Sequence, residues 1–224
     1  MEKTILTPKQ LEFLEFIKVE PQITKRFYLT GGTALAEFYL KHRLSEDIDL
    51  FTEEKEVDQK LIEAYLKRIS DLLSIKKINR SVFMGLVSYF LIYKDGSKLK
   101  VDFNYYPFPK IEKGLKFGQL QIDSIRDIAA NKVHTIFMNP RDRDYIDLYF
   151  IMKNTKLELS QLILDAKAKF DWDIDKLTLV SQLLRVKEIK TLETPKILLS
   201  FDKKEMDNFF IVETRKLSSS ILKD

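Results

Sequence analysis

The segment of residues 27–51 constrains the fold more than any other part of the chain. It reads FYLTGGTALAEFYLKHRLSEDIDLF: the apolar end of a strand, a glycine pair, a short helix and two aspartates one residue apart. Alternate residues of a strand point to the same face, so Asp47 and Asp49 are predicted to project together, roughly 7 Å apart along the backbone. Ile48 and Leu50 then enter a core. This pattern predicts a half-buried sheet with two carboxylates on its open face.

Gly31 and Gly32 are predicted to form the turn between that strand and the helix that follows. A backbone without Cβ atoms can approach a ligand closely, and the amides at a helix N-terminus attract anions. We therefore predict that Gly31, Gly32 and Thr33 bind a phosphate group. The alternative is a tight strand-to-helix turn without a ligand.

Composition narrows both the class of protein and the kind of metal site. The chain has 224 residues, 45% apolar and 32% charged, which is typical of a folded globular protein with one large or two small domains. No apolar run reaches the roughly 18–20 residues of a membrane span, and no apolar signal core follows the first residues, so a cytoplasmic location is expected. With no cysteine and two histidines, any metal is expected to be a hard ion with oxygen ligands, Mg²⁺ or Mn²⁺.

Residues 76–116 combine positive charge with aromatic side chains. This stretch has nine Lys or Arg residues against three acidic ones, and Phe and Tyr residues are interleaved with them. Basic residues can follow a nucleic-acid backbone while aromatic rings stack on its bases. The alternative is a solvated sheet face over an aromatic core.

Hydrophobic periodicity predicts an α+β fold, with a mixed sheet flanked by helices and followed by a helical C-terminal domain. The predicted helices of the first part are residues 8–18, 33–40 and 57–73, and the predicted strands are 27–30, 47–51, 81–93 and 98–105. The predicted helices of the second part are residues 124–138, 140–153, 158–170, 174–186 and 203–217. We divide the chain into domains at residues 1–118 and 119–224.

Asp102 is predicted to be a third carboxylate beside the first pair. It lies on the polar face of its strand, which also includes Lys100. Magnesium prefers oxygen ligands, and paired ions can activate an attacking hydroxyl while they neutralise a leaving pyrophosphate. Asp47, Asp49 and Asp102 are therefore the predicted metal ligands. The alternative for Asp102 is an ordinary solvated residue.

Lys132 lies in the middle of an apolar helical face. On a helical wheel it falls between Ile128 and Ile136. Lysines are rarely buried without a partner, so this one is expected either to reach a boundary or to meet an anion. In a nucleotide site the anion is a phosphate. The alternatives are a side chain that extends to solvent and a structural ion pair.

Asp144 and Asp147 lie three residues apart on one face of the next predicted helix, with Arg143 beside them. Acidic residues in a first helical turn interact favourably with the helix dipole, which accounts for Asp142 and is the alternative explanation for Asp144. Asp147 lies within an apolar stretch, where that explanation is weaker. We expect Asp147 to anchor either Lys132 or Arg143.

These motifs together resemble the AbiEii/AbiGii toxin family of nucleotidyltransferases, within the DNA polymerase β-like superfamily. The matching segments are GGTAL at 31–35, HRxSxDIDLF at 42–51, VDF at 101–103, NKV at 131–133 and RDxxDLY at 143–149. They occur in a specific order within residues 27–150. The C-terminal third of the chain matches only in being helical.

The resemblance implies a nucleotidyltransferase core and a helical C-terminal domain that contributes Lys132 and Asp144 to the cleft. The residues with implied catalytic roles are Asp47, Asp49, Asp102, Lys132 and Asp144. Among these, Asp102 follows the pattern of the superfamily, and the family does not keep it uniformly. The residues assigned to nucleotide binding are Gly31, Gly32, Thr33, Arg43, Ser45, Lys132 and Asp147.

The resemblance also implies an activity and partners. We expect a Mg²⁺-dependent enzyme that moves a nucleoside monophosphate from an NTP to an acceptor hydroxyl on RNA, with tRNA as the leading acceptor. We expect it to be the toxin of a toxin–antitoxin or abortive-infection system, with a cognate antitoxin protein as partner. One alternative is a catalytically weak module that binds GTP, another NTP or a partner. The other is an enzyme whose acceptor is a protein hydroxyl.

Overall fold

The computed structural model of the protein describes residues 4–54, 56–190 and 195–221. The chain forms two compact units, which we call the sheet unit and the helical unit. The sheet unit comprises Met1–Phe38, Ser45–Pro109 and Lys113–Asp123, and the helical unit comprises Tyr39–Leu44, Lys110–Glu112 and Ser124–Asp224. The predicted domain division between residues 118 and 119 stays a prediction.

The described part of the sheet unit contains short helices and a mixed sheet. Its helices are α1 (Pro8–Ile17), α2 (Pro21–Thr24), α3 (Gly31–Leu35) and α4 (Gln59–Ser70). Its strands are β1 (Tyr28–Thr30), β2 (Ile48–Thr52), β3 (Ile75–Phe83), β4 (Leu86–Tyr93), β5 (Lys98–Tyr105), β6 (Lys116–Phe117) and β7 (Leu120–Ile122). The α+β class predicted from periodicity is confirmed.

The seven strands form one sheet in the order β3-β4-β5-β2-β1-β7-β6. β2 runs parallel to β5, and β1 runs parallel to β7, whereas the other neighbouring pairs are antiparallel. Parallel neighbours require a crossover connection, and the chain between β2 and β5 supplies it with α4 and the β3–β4 hairpin. The two strands that carry the predicted metal ligands are therefore adjacent.

The alternation predicted for β2 and β5 places one face of each strand in the core. Ile48 and Leu50 of β2 and Val101 and Phe103 of β5 are fully buried. The residues between them point to the opposite face, as the two-residue repeat requires. Burial of the apolar set therefore fixes which face presents the carboxylates.

Two predicted strands have different bounds in the structure. Asp47 precedes β2 instead of lying within it, because β2 begins at Ile48. The single strand predicted over residues 81–93 is wrong: Met84 and Gly85 form a turn with positive φ angles of 45° and 82°, which divides the segment into β3 and β4. Met-Gly is not among the dipeptides that favour such two-residue turns, so sequence reasoning missed it.

The helical unit is built from the second half of the chain. Its helices are α5 (Ile125–Met138), α6 (Asp142–Asn154), α7 (Leu159–Phe170), α8 (Lys176–Leu184) and α9 (Lys203–Ile221). The Ser124 side chain accepts a hydrogen bond from the amide of Asp127 and so caps α5. The helical C-terminal region is therefore confirmed. In the part of the chain that the structure describes, no helix is both long and apolar enough to cross a membrane.

A core substitution tests whether β2 depends on its buried face. We expect Leu50→Ala to lower the free energy of unfolding by about 2–5 kcal/mol, because Leu50 is fully buried and the lost side chain leaves a cavity. Urea unfolding followed by circular dichroism measures the change. The matched control is Leu115→Ala, since Leu115 is 47% exposed, and we expect it to change stability by less than about 0.5 kcal/mol. Equal losses for the two variants would contradict the assigned burial.

Candidate active site

The sheet register brings two of the predicted carboxylates side by side. Asp49 of β2 lies opposite Asp102 of β5, and on its other side it lies opposite Thr30 of β1. Directly paired residues on neighbouring strands project from the same face. Asp47 lies one residue before β2, and its side chain is 31% exposed. The two acidic segments, far apart in the sequence, thus meet at one place on the open face of the sheet.

Lys100 connects two of these carboxylates. Its Nζ lies 2.6 Å from Oδ2 of Asp102 and 3.4 Å from Oδ2 of Asp47. Burial by itself would lower the pKa of Lys100, but its hydrogen bond to Asp102 and the nearby negative charges raise that pKa above its ordinary value. A cation is therefore held where acidic groups would otherwise repel one another. Sequence reasoning placed Lys100 on this face but missed its role; its two-residue spacing from Asp102 was the available signal.

Gly31 lies directly against Asp49. Its φ angle is +72°, a left-handed conformation that favours glycine, and a Cβ added there would lie 2.3 Å from Oδ2 of Asp49. Both features require glycine at this position. The predicted phosphate-binding turn and the predicted metal ligand are thus neighbours. The absence of a side chain at Gly31 leaves room for the Asp49 carboxylate.

The residues around this turn are held by hydrogen bonds to the backbone. The Thr33 hydroxyl, which is buried, donates to the carbonyl of Asp47. The Gln10 side-chain amide donates to the carbonyls of Ser45 (2.8 Å) and Glu46 (3.1 Å), immediately before Asp47. These bonds hold the backbone of residues 45–47 and tie it to Thr33, the residue after the glycine pair. The Thr33 and Ser45 predicted for nucleotide binding therefore lie beside the carboxylates.

Asp102 has one oxygen that the protein leaves unsatisfied. The residue is 5% exposed, and its Oδ1 has no hydrogen-bond partner, whereas its Oδ2 accepts from Lys100. A buried carboxylate oxygen without a partner is costly and uncommon. Among the described residues, no three acidic or histidine side chains are grouped closely enough to hold a metal ion as they stand. The ammonium of Lys100 lies between Asp47 and Asp102 and so separates these two carboxylates.

The other predicted site residues form a buried charge cluster in the helical unit. Asp147 of α6 is fully buried and accepts hydrogen bonds from Nε (2.6 Å) and Nη2 (2.8 Å) of Arg43, and its Oδ1 lies 2.8 Å from Nε2 of His42. Nζ of Lys132 lies 2.7 Å from Oδ2 of the same carboxylate. Burial alone would raise the pKa of Asp147, but Lys132 and Arg43 hold it well below its ordinary value. Burial lowers the pKa of His42, against the effect of Asp147.

Asp144 completes this cluster, which we call the Asp147 cluster. It is fully buried, accepts a hydrogen bond from Nζ of Lys132 at 2.8 Å and forms a salt bridge with Arg141. Burial alone would raise the pKa of Asp144, but Lys132 and Arg141 lower it. Lys132 thus lies between two carboxylates in the apolar interior that the helical wheel predicted. The ion pair expected from sequence is present, and Arg143, the other partner considered for Asp147, is exposed.

A cavity of about 650 Å³ lies in the helical unit. Its lining includes Met152, Leu157, Phe209 and Leu217. None of the residues that line it is a predicted site residue. Its lining has no aspartate and no glycine, so we do not assign the transfer chemistry to it.

The family model that matches the chain is that of the nucleotidyl transferase AbiEii toxin of type IV toxin–antitoxin systems, and the match covers residues 15–213. The family resemblance inferred from the sequence motifs is confirmed. It extends well beyond the motifs, into α9, where sequence reasoning recognised only helical character.

The chain is also similar to individual proteins. An uncharacterised protein of Aquifex aeolicus (strain VF5) is 32% identical over 168 residues, which cover 74% of this chain and 76% of that protein. The crystal structure of JHP933 from Helicobacter pylori has a TM-score of 0.58 and 22% identity, covering 97% of this chain and 95% of that one. A second Helicobacter pylori crystal structure has a TM-score of 0.60 and 21% identity, covering 97% and 98%. At 21–22% sequence identity, the two crystal structures support the fold alone.

A glycine substitution tests the contact between the turn and Asp49. We expect Gly31→Ala to destabilise the protein by more than the roughly 1 kcal/mol of a left-handed alanine, because the new methyl group collides with the Asp49 carboxylate. Gly96→Ala is the matched control, since Gly96 has φ +84° and open space around it, so it reports backbone strain alone. Thermal and urea unfolding of both variants give the comparison. Equal destabilisation would show that the collision is absent.

The Asp147 cluster predicts a pH-dependent contribution to stability. Because the folded pKa of Asp147 is depressed, its stabilisation is fully present above the unfolded pKa of about 3.9 and is lost as the pH falls through the folded pKa. We expect Asp147→Asn to lower the free energy of unfolding at neutral pH by about 3–5 kcal/mol, because buried cations lose their partner. The difference in the free energy of unfolding between this variant and the wild type should narrow as the pH falls below about 4.

Urea unfolding of both proteins at several pH values measures this difference. The control is Asp173→Asn, which removes an aspartate that is 83% exposed and pairs with Lys167 on the surface. We expect no measurable change for the control. If the free energy of unfolding of Asp147→Asn differs from that of the wild type by the same amount down to acid pH, the assigned ionisation of Asp147 is contradicted.

Proposed function

Because the chain belongs to the AbiEii family of type IV toxin–antitoxin nucleotidyltransferases, we propose that it moves a nucleoside monophosphate from an NTP to a hydroxyl group of RNA, with tRNA as the leading acceptor. The products are RNA extended by one nucleotide and pyrophosphate. Nucleotidyl transfer follows from the family. The metal, the acceptor and the residue roles are our proposal.

The single observation that supports this proposal best is the contact between Gly31 and Asp49, beside Asp102. Phosphoryl transfer requires polyphosphate oxygens to lie close to both backbone donors and metal-binding carboxylates. Here a turn without a Cβ lies against one carboxylate, and the parallel register places a second carboxylate next to it. An ordinary strand-to-helix turn does not need this arrangement.

Asp47, Asp49 and Asp102 would hold Mg²⁺. The unpartnered Oδ1 of Asp102 supports this, because a buried anionic oxygen without a donor suits a hard cation. Lys100 already places a positive charge between Asp47 and Asp102, so this face accommodates a cation. When bound, Mg²⁺ supplies charge neutralisation for the triphosphate and lowers the pKa of the acceptor hydroxyl. Lys100 then becomes available to pair with a substrate phosphate.

We assign the triphosphate to the glycine turn and its neighbours. The backbone at Gly31 and Gly32 can approach an anion closely, and Thr33 and Ser45 lie beside it. Lys132 and Asp144 remain proposed active-site residues because they match the family motif. The two carboxylates of the Asp147 cluster take two of the three ammonium donors of Lys132, so one is left for an anion. Arg43 and Asp147 would act by holding Lys132 in place.

The proposed biological role is that of a toxin with a cognate antitoxin. Toxin function is supported by the family model, whose members belong to type IV toxin–antitoxin systems. A tRNA acceptor would place the reaction in the cytoplasm. The RNA assignment is supported by the excess of Lys and Arg over acidic residues between residues 76 and 116.

One assay separates this proposal from its alternatives. The full chain is incubated with Mg²⁺ or Mn²⁺, each α-³²P-labelled NTP in turn, total RNA and a protein lysate, and the products are separated by denaturing electrophoresis. Label on RNA supports the proposal, whereas label on protein assigns a protein hydroxyl as acceptor. Saturable NTP binding with no label on either would favour a weak nucleotide-binding module.

The role of Asp49 is tested by an isosteric change. We expect Asp49→Asn to reduce label transfer at least about 100-fold, because it removes charge from the metal site while it keeps the side-chain volume. The control is Asp71→Asn, which changes an exposed aspartate at the end of α4 and should leave transfer unchanged. Thermal unfolding confirms that both variants are folded. Full transfer by folded Asp49→Asn protein would refute the assigned site.

A further inference from the structure

One face of the β3-β4-β5 half of the sheet continues directly from the carboxylates. Register pairs place side chains on this face in four rows across the three strands. The rows are Lys77–Ile92–Lys98, Asn79–Phe90–Lys100, Ser81–Ser88–Asp102 and Phe83–Leu86–Asn104. We call these residues the open face. Since Asp102 belongs to it, the open face and the proposed metal site share one surface.

Two aromatic rings are exposed on the open face. Phe90, on the central strand of the three, is 38% exposed, and Phe83 at the end of β3 is 65% exposed. The opposite face of the same strands is the core, where Tyr89 and Leu91 are fully buried. Exposure of Phe90 therefore follows from the register and is not needed to build the core.

Phe90 lies close enough to the carboxylates to act on the same substrate. It pairs with Lys100, and Asp102 is two residues further along β5, so Phe90 and Asp102 are diagonal neighbours. Diagonal neighbours on paired strands lie roughly 7–8 Å apart at the backbone. A base stacked on Phe90 would therefore have its sugar and the next phosphate within reach of the metal site.

The charges on the open face favour a nucleic acid. Its ionisable residues are three lysines, Lys77, Lys98 and Lys100, and one aspartate, Asp102, which is itself a proposed metal ligand. Lys77 and Lys98 are exposed and lie on the two sides of Ile92. Lysines close to exposed aromatic rings suit a single-stranded nucleic acid. Its phosphates pair with the lysines while its bases stack on the rings.

We propose that the open face binds the single-stranded 3′ end of the acceptor RNA, with Phe90 stacked on a base and with Lys77 and Lys98 paired with phosphates. This inference rests on the proposed function, because it assigns the substrate of the same site. It adds that the acceptor is recognised as an unpaired strand, since a base must be free to stack on the ring. Phe90 is then a positioning residue, and Asp102 links the acceptor strand to the metal site.

Equilibrium RNA binding tests this proposal without catalysis. Fluorescence anisotropy is measured with the full chain, no NTP and a 5′-fluorescein-labelled single-stranded RNA of about ten nucleotides. We expect Phe90→Ala to weaken binding about 10-fold, because one base loses its stacking partner. Phe90→Trp should restore binding, since the indole ring also stacks. Val19→Ala, at an exposed apolar position elsewhere in the sheet unit, should bind as the wild type does.

A charge comparison tests the lysines. The double variant Lys77→Gln/Lys98→Gln should bind more weakly and reduce the slope of log affinity against log salt by about 1.4, which corresponds to two lost phosphate contacts on a single strand. The matched control is Lys25→Gln/Lys67→Gln, because it changes the net charge equally at exposed positions outside the open face. We expect that control to keep the wild-type slope.

The outcomes separate this inference from the proposed function. Wild-type protein that does not bind the oligonucleotide, or binding unchanged in both Phe90→Ala and the open-face lysine variant, would overturn the RNA-binding face even if label transfer occurs. Weakened binding in both variants supports it even if no transfer is detected. In the transfer assay, a raised KM for RNA with an unchanged kcat in Phe90→Ala supports positioning. An unchanged KM with a lowered kcat would contradict it.

Discussion

Parallel pairing of β2 with β5 is the constraint on which the proposed chemistry depends. It places Asp49 next to Asp102, although more than fifty residues separate them in the sequence. Acidic groups held this close repel one another, so the fold must supply a positive charge. Lys100 supplies it in the structure described here, and a metal ion with its bound triphosphate would supply it during catalysis. This face therefore holds a positive charge beside its carboxylates, as the proposed chemistry requires.

The Asp147 cluster follows the same principle in the helical unit. Five charged or ionisable side chains from residues 42–43, α5 and α6 lie against one another in an apolar interior. Removing one partner from such a cluster is costly, whereas the complete cluster orients each member. A family motif that looks catalytic when read along the chain thus also has a structural role. For Lys132 the two roles are compatible, because an ammonium has three donors.

Much of the fold could be predicted because it follows from local periodicity. Strand alternation identified the buried and open faces of β2 and β5, and the sequence pattern located the ends of α5 and α6 within about two residues. The β3–β4 turn at Met84-Gly85 was missed because its residues carry no strong turn signal. The short strands β6 and β7 were missed because two or three residues show no period.

The sequence by itself determined which residues are the candidates for the proposed chemistry: a glycine pair after a strand, aspartates at a two-residue spacing and a lysine on an apolar helical face. These are local properties, set by backbone sterics and by the periods of strand and helix. Only the tertiary structure decided the partners, namely that Lys100 bridges Asp47 and Asp102, that Asp147 binds Arg43, and that Phe90 shares a face with Asp102. Those pairings depend on strand register and helix packing, which join residues distant in sequence and leave no periodic signal in the chain.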